Sequence, residues 1–143
     1  MYAKTTVVPI ERSKGEIQRT LVRYGAESFA YAEKSQAAMI EFQMTGKRIR
    51  FVIPLPARPS GEGYGSGVEL KKYDQSVKQK WRALALVVKA KLEAVDSNIT
   101  TLEQEFLAHI VLPGGRTFGD SVIPQLDQIY LSGKVPQIGW EEA

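Results

Sequence analysis

Hydrophobic residues near the start of the chain recur with the spacing of one helical face. The recurring residues are Ile17, Leu21 and Tyr24. This i, i+4, i+7 pattern predicts an amphipathic helix over residues 14–24. Ser13 and Glu16 have the spacing of a capping box before it, and Gly25 suits the left-handed residue that ends a helix. The cations expected on its solvent side are Arg12, Lys14, Arg19 and Arg23. A β-branched run at residues 5–8 favours a short strand before this helix.

Alternating hydrophobic residues predict a three-stranded antiparallel meander over residues 28–55. Phe29 and Tyr31 alternate on the first strand, and a turn at Thr45-Gly46 sets the register of the next two. On one face this register pairs Phe42 with Ile49, Ile40 with Phe51 and Ala38 with Ile53; on the other it pairs Glu41 with Arg50 and Gln43 with Arg48. Apolar residues therefore face apolar ones and opposite charges face each other, so one face is expected to be core and the other polar and open.

Residues 57–73 interrupt the pattern with prolines and a run of alternating glycines from Gly61 to Gly67. We expect a flexible loop here, because no periodicity is present. The run is not a phosphate-binding loop, since no Gly-Lys-Ser/Thr follows it.

A long helix is predicted over residues 74–95, with apolar residues on two faces. The first stripe comprises Val77, Trp81, Leu84, Ala85, Val88, Leu92 and Val95. The second comprises Ala83, Leu86, Val87, Ala90 and Ala94. A helix that is apolar on two faces should pack on two sides. One side suits the sheet, and the other suits a later helix or a second copy of the chain.

Two shorter helical segments follow. A capping box at Thr100 and Glu103, or at Thr101 and Gln104, begins the first. Its stripe is Ile99, Leu102, Phe106, Leu107 and Ile110. A last helix is expected from near Asp120 to before Gly133. The prediction is therefore an α+β fold in one domain, 1–143. It has an N-terminal helix, a three-stranded antiparallel β-meander and a helical C-terminal half packed on one sheet face.

Charge is divided unevenly along the chain. Residues 1–91 carry a net charge of +9 and residues 92–143 a net charge of −6, within a total of +3. This asymmetry indicates a basic surface that meets an acidic partner, or two halves that neutralise each other.

Composition excludes several chemistries. The chain has no cysteine and a single histidine, His109, so thiolate catalysis, disulfides, Cys-based metal sites and paired-histidine sites are absent. No apolar run is long enough to span a bilayer, and the N-terminus lacks the apolar run of a signal peptide. We expect no cofactor, no metal and no membrane association, and a cytoplasmic location.

Nucleic-acid binding is the first functional hypothesis, because basic side chains follow the predicted open sheet face, the glycine-rich loop and the long helix. The candidate phosphate-binding residues are Arg48, Arg50, Arg58, Lys71, Lys72, Lys78, Arg82 and Lys89, with Tyr64 as a candidate stacking ring. The alternative is that these cations are solvated or pair with acidic residues within the molecule.

Catalytic motifs are weak throughout. The Glu69-Leu70-Lys71 triplet resembles part of a nuclease site but lacks an upstream aspartate on a strand. His109 has no nucleophile near it in the pattern and suits a cation at a helix end. We therefore expect no enzymatic activity.

A protein partner is the second hypothesis. Part of the second stripe on the long helix, formed by Ala83, Leu86, Val87 and Ala90, is the candidate interface with another protein or with a second copy of the chain.

Four segments resemble a family of small proteins commonly encoded by bacteriophages and prophages. They lie at residues 13–26 (SKGEIQRTLVRYGA), 50–56 (RFVIPLP), 80–95 (KWRALALVVKAKLEAV) and 100–113 (TTLEQEFLAHIVLP). The resemblance implies a phage-derived protein acting in a bacterial cytoplasm. It favours either a replication or recombination accessory that binds nucleic acid, or an inhibitor of a host protein such as a defence system of the kind that anti-CRISPR proteins block. No residue role is carried over from the family.

Overall fold

The computed structural model describes residues 2–59 and 66–135. It has the predicted α+β architecture, with an N-terminal helix, a three-stranded antiparallel sheet and a helical C-terminal half. The elements are α1 (Tyr2–Arg23), β1 (Ser28–Lys34), β2 (Ala37–Met44), β3 (Lys47–Pro54), α2 (Ser66–Asp96), α3 (Leu102–Phe106), α4 (Phe118–Val122) and α5 (Leu126–Ser132). Short 3₁₀ turns lie at Leu107–His109 and Ile123–Gln125.

The sheet has the order β1-β2-β3, and the predicted register of β2 and β3 is confirmed at every pair, including Glu41 with Arg50. Alternation of buried residues along β2 and β3 shows that one face is core. The turn between them places Thr45 at φ 45° and Gly46 at φ 79°, both left-handed. The Thr45 hydroxyl donates a hydrogen bond to the carbonyl of Met44 at 2.8 Å.

Helices α1, α2 and α3 supply the buried residues that cover the core face of the sheet. The largest fully buried side chains are Trp81, Phe42, Phe106, Ile17, Leu21, Ile40, Ile49, Leu92 and Val88. Phe106 meets Phe42 and Phe51 edge to face, with ring centroids 5.9 Å and 6.1 Å away. Such edge-to-face contacts between aromatic rings add to the stabilisation from burial alone.

The N-terminal helix is longer than the pattern predicted. Helix α1 begins at Tyr2, so the expected strand at residues 5–8 is wrong, and Ser13 is buried inside the helix instead of capping it. The helix continues through Ser13 because Ile10 and Ser13 extend the buried stripe of Ile17 backwards at helical spacing. Gly25 has φ 92°, as expected of a residue that ends a helix.

Lys14 was expected in solvent but is buried in the structure. Its ammonium lies 4.1 Å from the ring centroid of Tyr31 and 5.1 Å from that of Trp81. Glu11 is its ion-pair partner at 3.8 Å. Attraction to two aromatic faces stabilises the charge where water is excluded, so this lysine ties α1 to the sheet.

The long helix also begins earlier than predicted, at Ser66 instead of near residue 74, so the glycine-rich loop does not extend to residue 73. Leu70 and Tyr73 are partly buried and extend the stripe of Val77 backwards. This burial favours helix over loop despite the nearby glycines. Residues 60–65, which include Tyr64 and most of the glycine run, lie outside the described residues.

The C-terminal segment forms short helices. The capping box at Thr101 and Gln104 is confirmed at the start of α3. The expected last helix is divided: α4 begins at a second capping box, Thr117 with Asp120, and a 3₁₀ turn containing Pro124 separates it from α5. Proline lacks the N–H that a continuous helix requires at that position. The Thr117 backbone N–H donates to Asp120 and lowers the pKa of that carboxyl group.

Gly119 marks a close approach between α4 and the preceding 3₁₀ turn. A Cβ at this position would lie 2.7 Å from the backbone oxygen of Ala108, which cannot move aside easily. A Cβ at Gly15 in α1 would instead lie 3.2 Å from the flexible end of Arg19.

We expect Gly119→Ala to lower the free energy of unfolding by about 1–3 kcal/mol, because the added methyl group overpacks this contact. Gly15→Ala is the matched control and should be neutral or stabilising by up to about 1 kcal/mol, since alanine is the better helix former. Denaturant unfolding of both variants measures the difference. Equal effects would show that the Ala108 contact is not tight.

His109 stacks on Phe51, with ring centroids 3.9 Å apart and planes inclined by 19°. Burial lowers its pKa; a hydrogen bond to the backbone of Arg50 opposes this shift, and the charge of Lys91 adds to it. The net pKa lies below the ordinary value, so the interpretation of His109 as a helix-capping cation is not supported.

Because its folded pKa is lowered, His109 takes up a proton in the unfolded chain before it does so in the native protein. We expect the stability advantage of the wild type over His109→Gln to be full above about pH 7 and to shrink as the pH falls below about 6.5. Denaturant unfolding of both proteins at pH 7.5 and pH 5.5 measures it. An advantage that does not change with pH would contradict this assignment.

Candidate nucleic-acid interface

Cations from α1 and α2 line one groove on the surface of the helical layer. The α1 cations are Arg12, Arg19 and Arg23, and the α2 cations are Lys78, Arg82 and Lys89. Each set recurs at helical spacing, so each lies on one side of its helix. Arg12 lies near Lys78 at one end of the groove, and Arg23 lies near Lys89 at the other. Residue numbers therefore rise in the same direction along both helices, so α1 and α2 run parallel.

The groove consists of two adjoining cavities of about 450 Å³ and 380 Å³. Arg12, Lys78 and Arg82 line the first cavity. The second is lined by Arg19, Thr20, Arg23, Ala85, Leu86 and Lys89. Glu16 lines both cavities and joins them. From Arg12 to Arg23 the helix rises roughly 16 Å, so the groove is long enough for several phosphates of one strand.

The charge of the groove is not neutralised by its surroundings. Six cations and one carboxylate give a net charge of +5. Within the described part of the chain, none of these seven residues forms an ion pair. A concave surface with charge of one sign concentrates the field and attracts counter-ions.

The structure brings together three of the residues predicted from the sequence: Lys78, Arg82 and Lys89. Lys71 lies exposed two turns earlier on the same side of α2 as Lys78. Lys72 is exposed beside it. The Arg58 guanidinium lies 5.7 Å from the centroid of the Tyr73 ring. Tyr64, the candidate stacking ring, lies outside the described residues.

Arg48 and Arg50 do not join the groove. They lie on the sheet face opposite the helices, where Glu41 accepts hydrogen bonds from Arg48 Nε at 2.9 Å and Arg50 Nε at 3.0 Å. Arg50 also donates to the carbonyl of Gly115 at 2.8 Å. Partial burial tends to raise the pKa of Glu41, but the hydrogen bonds and charges of the two arginines outweigh it and lower that pKa. Both arginines therefore form intramolecular contacts on this face of the sheet.

The acidic C-terminal half neutralises other cations. Lys47 pairs with Glu103 at 2.9 Å, and Lys91 pairs with Glu105 at 3.3 Å. The hydrogen bond from Lys47 lowers the pKa of Glu103. The acidic half therefore neutralises only part of the basic half, because these ion pairs lie away from the groove.

Arg12, Arg19 and Arg23 were not identified as candidates from the sequence. Their i, i+7, i+11 spacing was visible, and they were assigned simply to the solvent side of the first helix. The sequence pattern does not show which helix packs beside these arginines. Packing against α2 turns solvent-facing cations into one wall of a groove.

The candidate partner stripe on α2 is open to solvent. Ala83, Leu86, Val87 and Ala90 are all exposed, with Leu86 at 64% and Val87 at 40%. The last helix therefore does not cover them. Leu86 also lines the basic groove.

Several carboxylates of the C-terminal half form structural contacts. Glu103 and Glu105 pair with lysines, and Asp120 caps α4. Among the residues that the structure describes, no cluster of three or more His, Asp or Glu side chains could hold a metal ion. In that same part of the chain, no helix is both long and apolar enough to cross a membrane.

Comparisons with protein-family models, with curated proteins and with solved structures find no match to this chain.

Proposed function

We propose that this protein binds the phosphate backbone of nucleic acid, without catalysis, in the groove between α1 and α2. The observation that carries the proposal is the convergence of six cations from two helices around a single carboxylate, with no ion pair among them in the described chain. Guanidinium and ammonium groups are the side chains that recognise phosphates, and release of counterions from the nucleic acid supplies the affinity.

The composition of the groove favours contact with the backbone over reading of bases. Its lining residues include no aromatic ring, so stacking of unpaired bases has no platform there. The lining also includes the partly exposed Thr20, whose hydroxyl can donate a hydrogen bond to a phosphate oxygen. We therefore expect binding that varies little with sequence, and duplex to bind at least as well as single strand.

Binding should fall steeply with salt. For a groove of net charge +5, the slope of log affinity against log salt should be about −4 to −5 with duplex DNA. Fluorescence anisotropy with labelled oligonucleotides of about 20 base pairs, from roughly 50 to 200 mM salt, measures it. Absence of binding at the lowest salt would refute the proposal.

Charge reversal locates the site. Arg82→Glu should weaken binding by at least about tenfold at low salt and reduce the magnitude of the salt slope by about 1 or more, because a phosphate contact is lost. Lys134→Glu is the matched control, since this exposed lysine lies just after α5, outside the groove, and makes the same change in net charge. Equal losses in both variants would mean that net charge alone attracts the nucleic acid and that the groove is not the site.

Removal of the groove carboxylate should have the opposite effect. Glu16→Gln is expected to strengthen binding several-fold, because Glu16 is the one anion that lines both cavities. Asp127→Asn, at an exposed position of α5, is the control and should leave affinity unchanged. Weaker binding by Glu16→Gln would indicate that Glu16 contacts a base edge or positions an arginine.

A protein partner is the second candidate function, favoured by exposed apolar side chains on α5 and α2. On α5, Tyr130 is 85% exposed and Leu131 is 83% exposed, and Leu86 and Val87 are open on α2. If this surface binds a host or phage protein, capture of that protein from bacterial lysate should survive nuclease treatment and be lost on Leu131→Asp. Capture that disappears with nuclease would leave nucleic acid as the bridge.

The phage resemblance adds a biological setting to this proposal. A backbone-binding protein of this size suits a replication or recombination accessory, and the protein-binding alternative suits an inhibitor of a host defence system. Both biological roles rest on the resemblance, whereas the proposed phosphate binding rests on the cations of the groove.

A further inference from the structure

The two edges of the sheet differ in their backbone hydrogen bonding. The outer edge of β3 is partly paired: Ile49 forms a bridge with Ile110, and the Val111 N–H donates to the Arg48 carbonyl at 2.8 Å. The outer edge of β1 has no backbone partner among the described residues. Within the described residues, the β3 edge is thus partly paired, and the β1 edge presents backbone groups without a partner.

Geometry identifies which groups are free. Ser35 and Gln36 form a two-residue turn, so Lys34 and Ala37 are a hydrogen-bonded pair. Alternate residues therefore bond to β2, while Phe29, Tyr31 and Glu33 direct their backbone N–H and C=O groups outward. The run from Ser28 to Ala32 contains no charge and no proline. Charges, prolines and bulges are the devices that usually protect an edge strand from pairing.

We propose that β1 pairs antiparallel with β1 of a second copy of this chain, about a two-fold axis at Tyr31, to form a six-stranded sheet. In this register Tyr31 lies opposite Tyr31 of the second copy, Phe29 lies opposite Glu33, and Ser28 lies opposite Lys34. No two like charges therefore lie directly opposite each other. A shift of two residues in one direction places Glu27 opposite Glu33, and a shift in the other shortens the paired segment. The strand is therefore self-complementary in one register, which is the requirement for a symmetric dimer.

The environment of Tyr31 fits this interface. Its side chain lies on the core side of the sheet, where Trp81 contacts it at 6.5 Å between centroids, yet it remains 46% exposed. A second Tyr31 across the axis would cover the open side of the ring, since aromatic residues pair favourably across adjacent strands.

This arrangement has a consequence for the helical layer. The two-fold axis of an antiparallel strand pair is perpendicular to the sheet, so both sets of helices lie on the same face of the dimer. Both basic grooves then open on that side. The dimer does not depend on nucleic acid, and its test is carried out on nuclease-treated protein.

Paired substitutions at Ala30 and Ala32 test the register. Both are exposed on the sheet face away from the helices, and Ala30 of one copy would face Ala32 of the other. Ala30→Lys with Ala32→Lys places two lysine pairs across the axis and should weaken the dimer at least about tenfold. Ala30→Lys with Ala32→Glu places opposite charges there and should dimerise at least as well as the wild type.

Sedimentation and light scattering of the full chain between about 1 and 100 μM measure these dissociation constants, a range suited to micromolar affinity. The wild type and the Lys/Glu variant should be dimers, the Lys/Lys variant should dissociate, and Leu86→Asp on the exposed α2 stripe should leave the dimer intact. A wild type that is monomeric throughout, or a dimer that resists the Lys/Lys change or is lost on Leu86→Asp, would overturn the proposal.

A second measurement is independent of charge and of any loss of folding in the lysine variants. The chain has no native cysteine, so Ala30→Cys carries one thiol per copy. A short bismaleimide should link two copies through Ala30→Cys, but not through Ala83→Cys on α2. Equal linking at both positions, or none at Ala30→Cys, would contradict β1 pairing.

Discussion

The burial of Trp81 between two helices and a sheet is the interaction on which the rest of the molecule depends. Its ring is fully inaccessible to solvent, and α1 and the sheet contribute Ile17 and Phe42 to the same core. Each helix must turn its apolar stripe towards the sheet to form this core. The residues beside the stripes are then forced into the seam between α1 and α2. Arg82 follows Trp81 in the chain, and Glu16 precedes Ile17, so the basic groove is a direct product of the way the core is buried.

The same geometry explains why the acidic half of the chain leaves the groove charged. Glu103 and Glu105 lie in α3, near Lys47 at the β2–β3 turn and Lys91 towards the end of α2. Those two lysines are neutralised by local contacts, and the sheet separates Arg48 and Arg50 from the helical seam. In the described part of the chain the six groove cations form no ion pair, and the fold places them side by side.

Most of the fold could be predicted because its information is local and periodic. The register of β2 and β3 follows from alternation, and the start of α3 follows from a capping box. The start of α1 could not be predicted, because Ser13 has the spacing of a capping residue in the sequence, whereas burial of Ile10 and Ser13 continues the helix through it. Half of the candidate site was missed for a related reason. Arg12, Arg19 and Arg23 line a groove only because α2 packs beside them. Lys78, Arg82 and Lys89 could be predicted as a group because they lie on one side of a single long helix.

The turn at Thr45 and Gly46 bears on how the molecule folds. A β-branched residue is disfavoured in the left-handed region, and turns of this kind usually place asparagine, aspartate or glycine there. Gly46 suits its left-handed position, whereas Thr45 weakens the turn. Burial of Phe42 and Phe51 against Phe106 and the pairing of Glu41 with two arginines therefore contribute to holding the register of β2 and β3. Packing of Phe42 and Phe51 against Phe106 of α3 therefore couples the hairpin to the helical half, and we expect sheet and helices to unfold together.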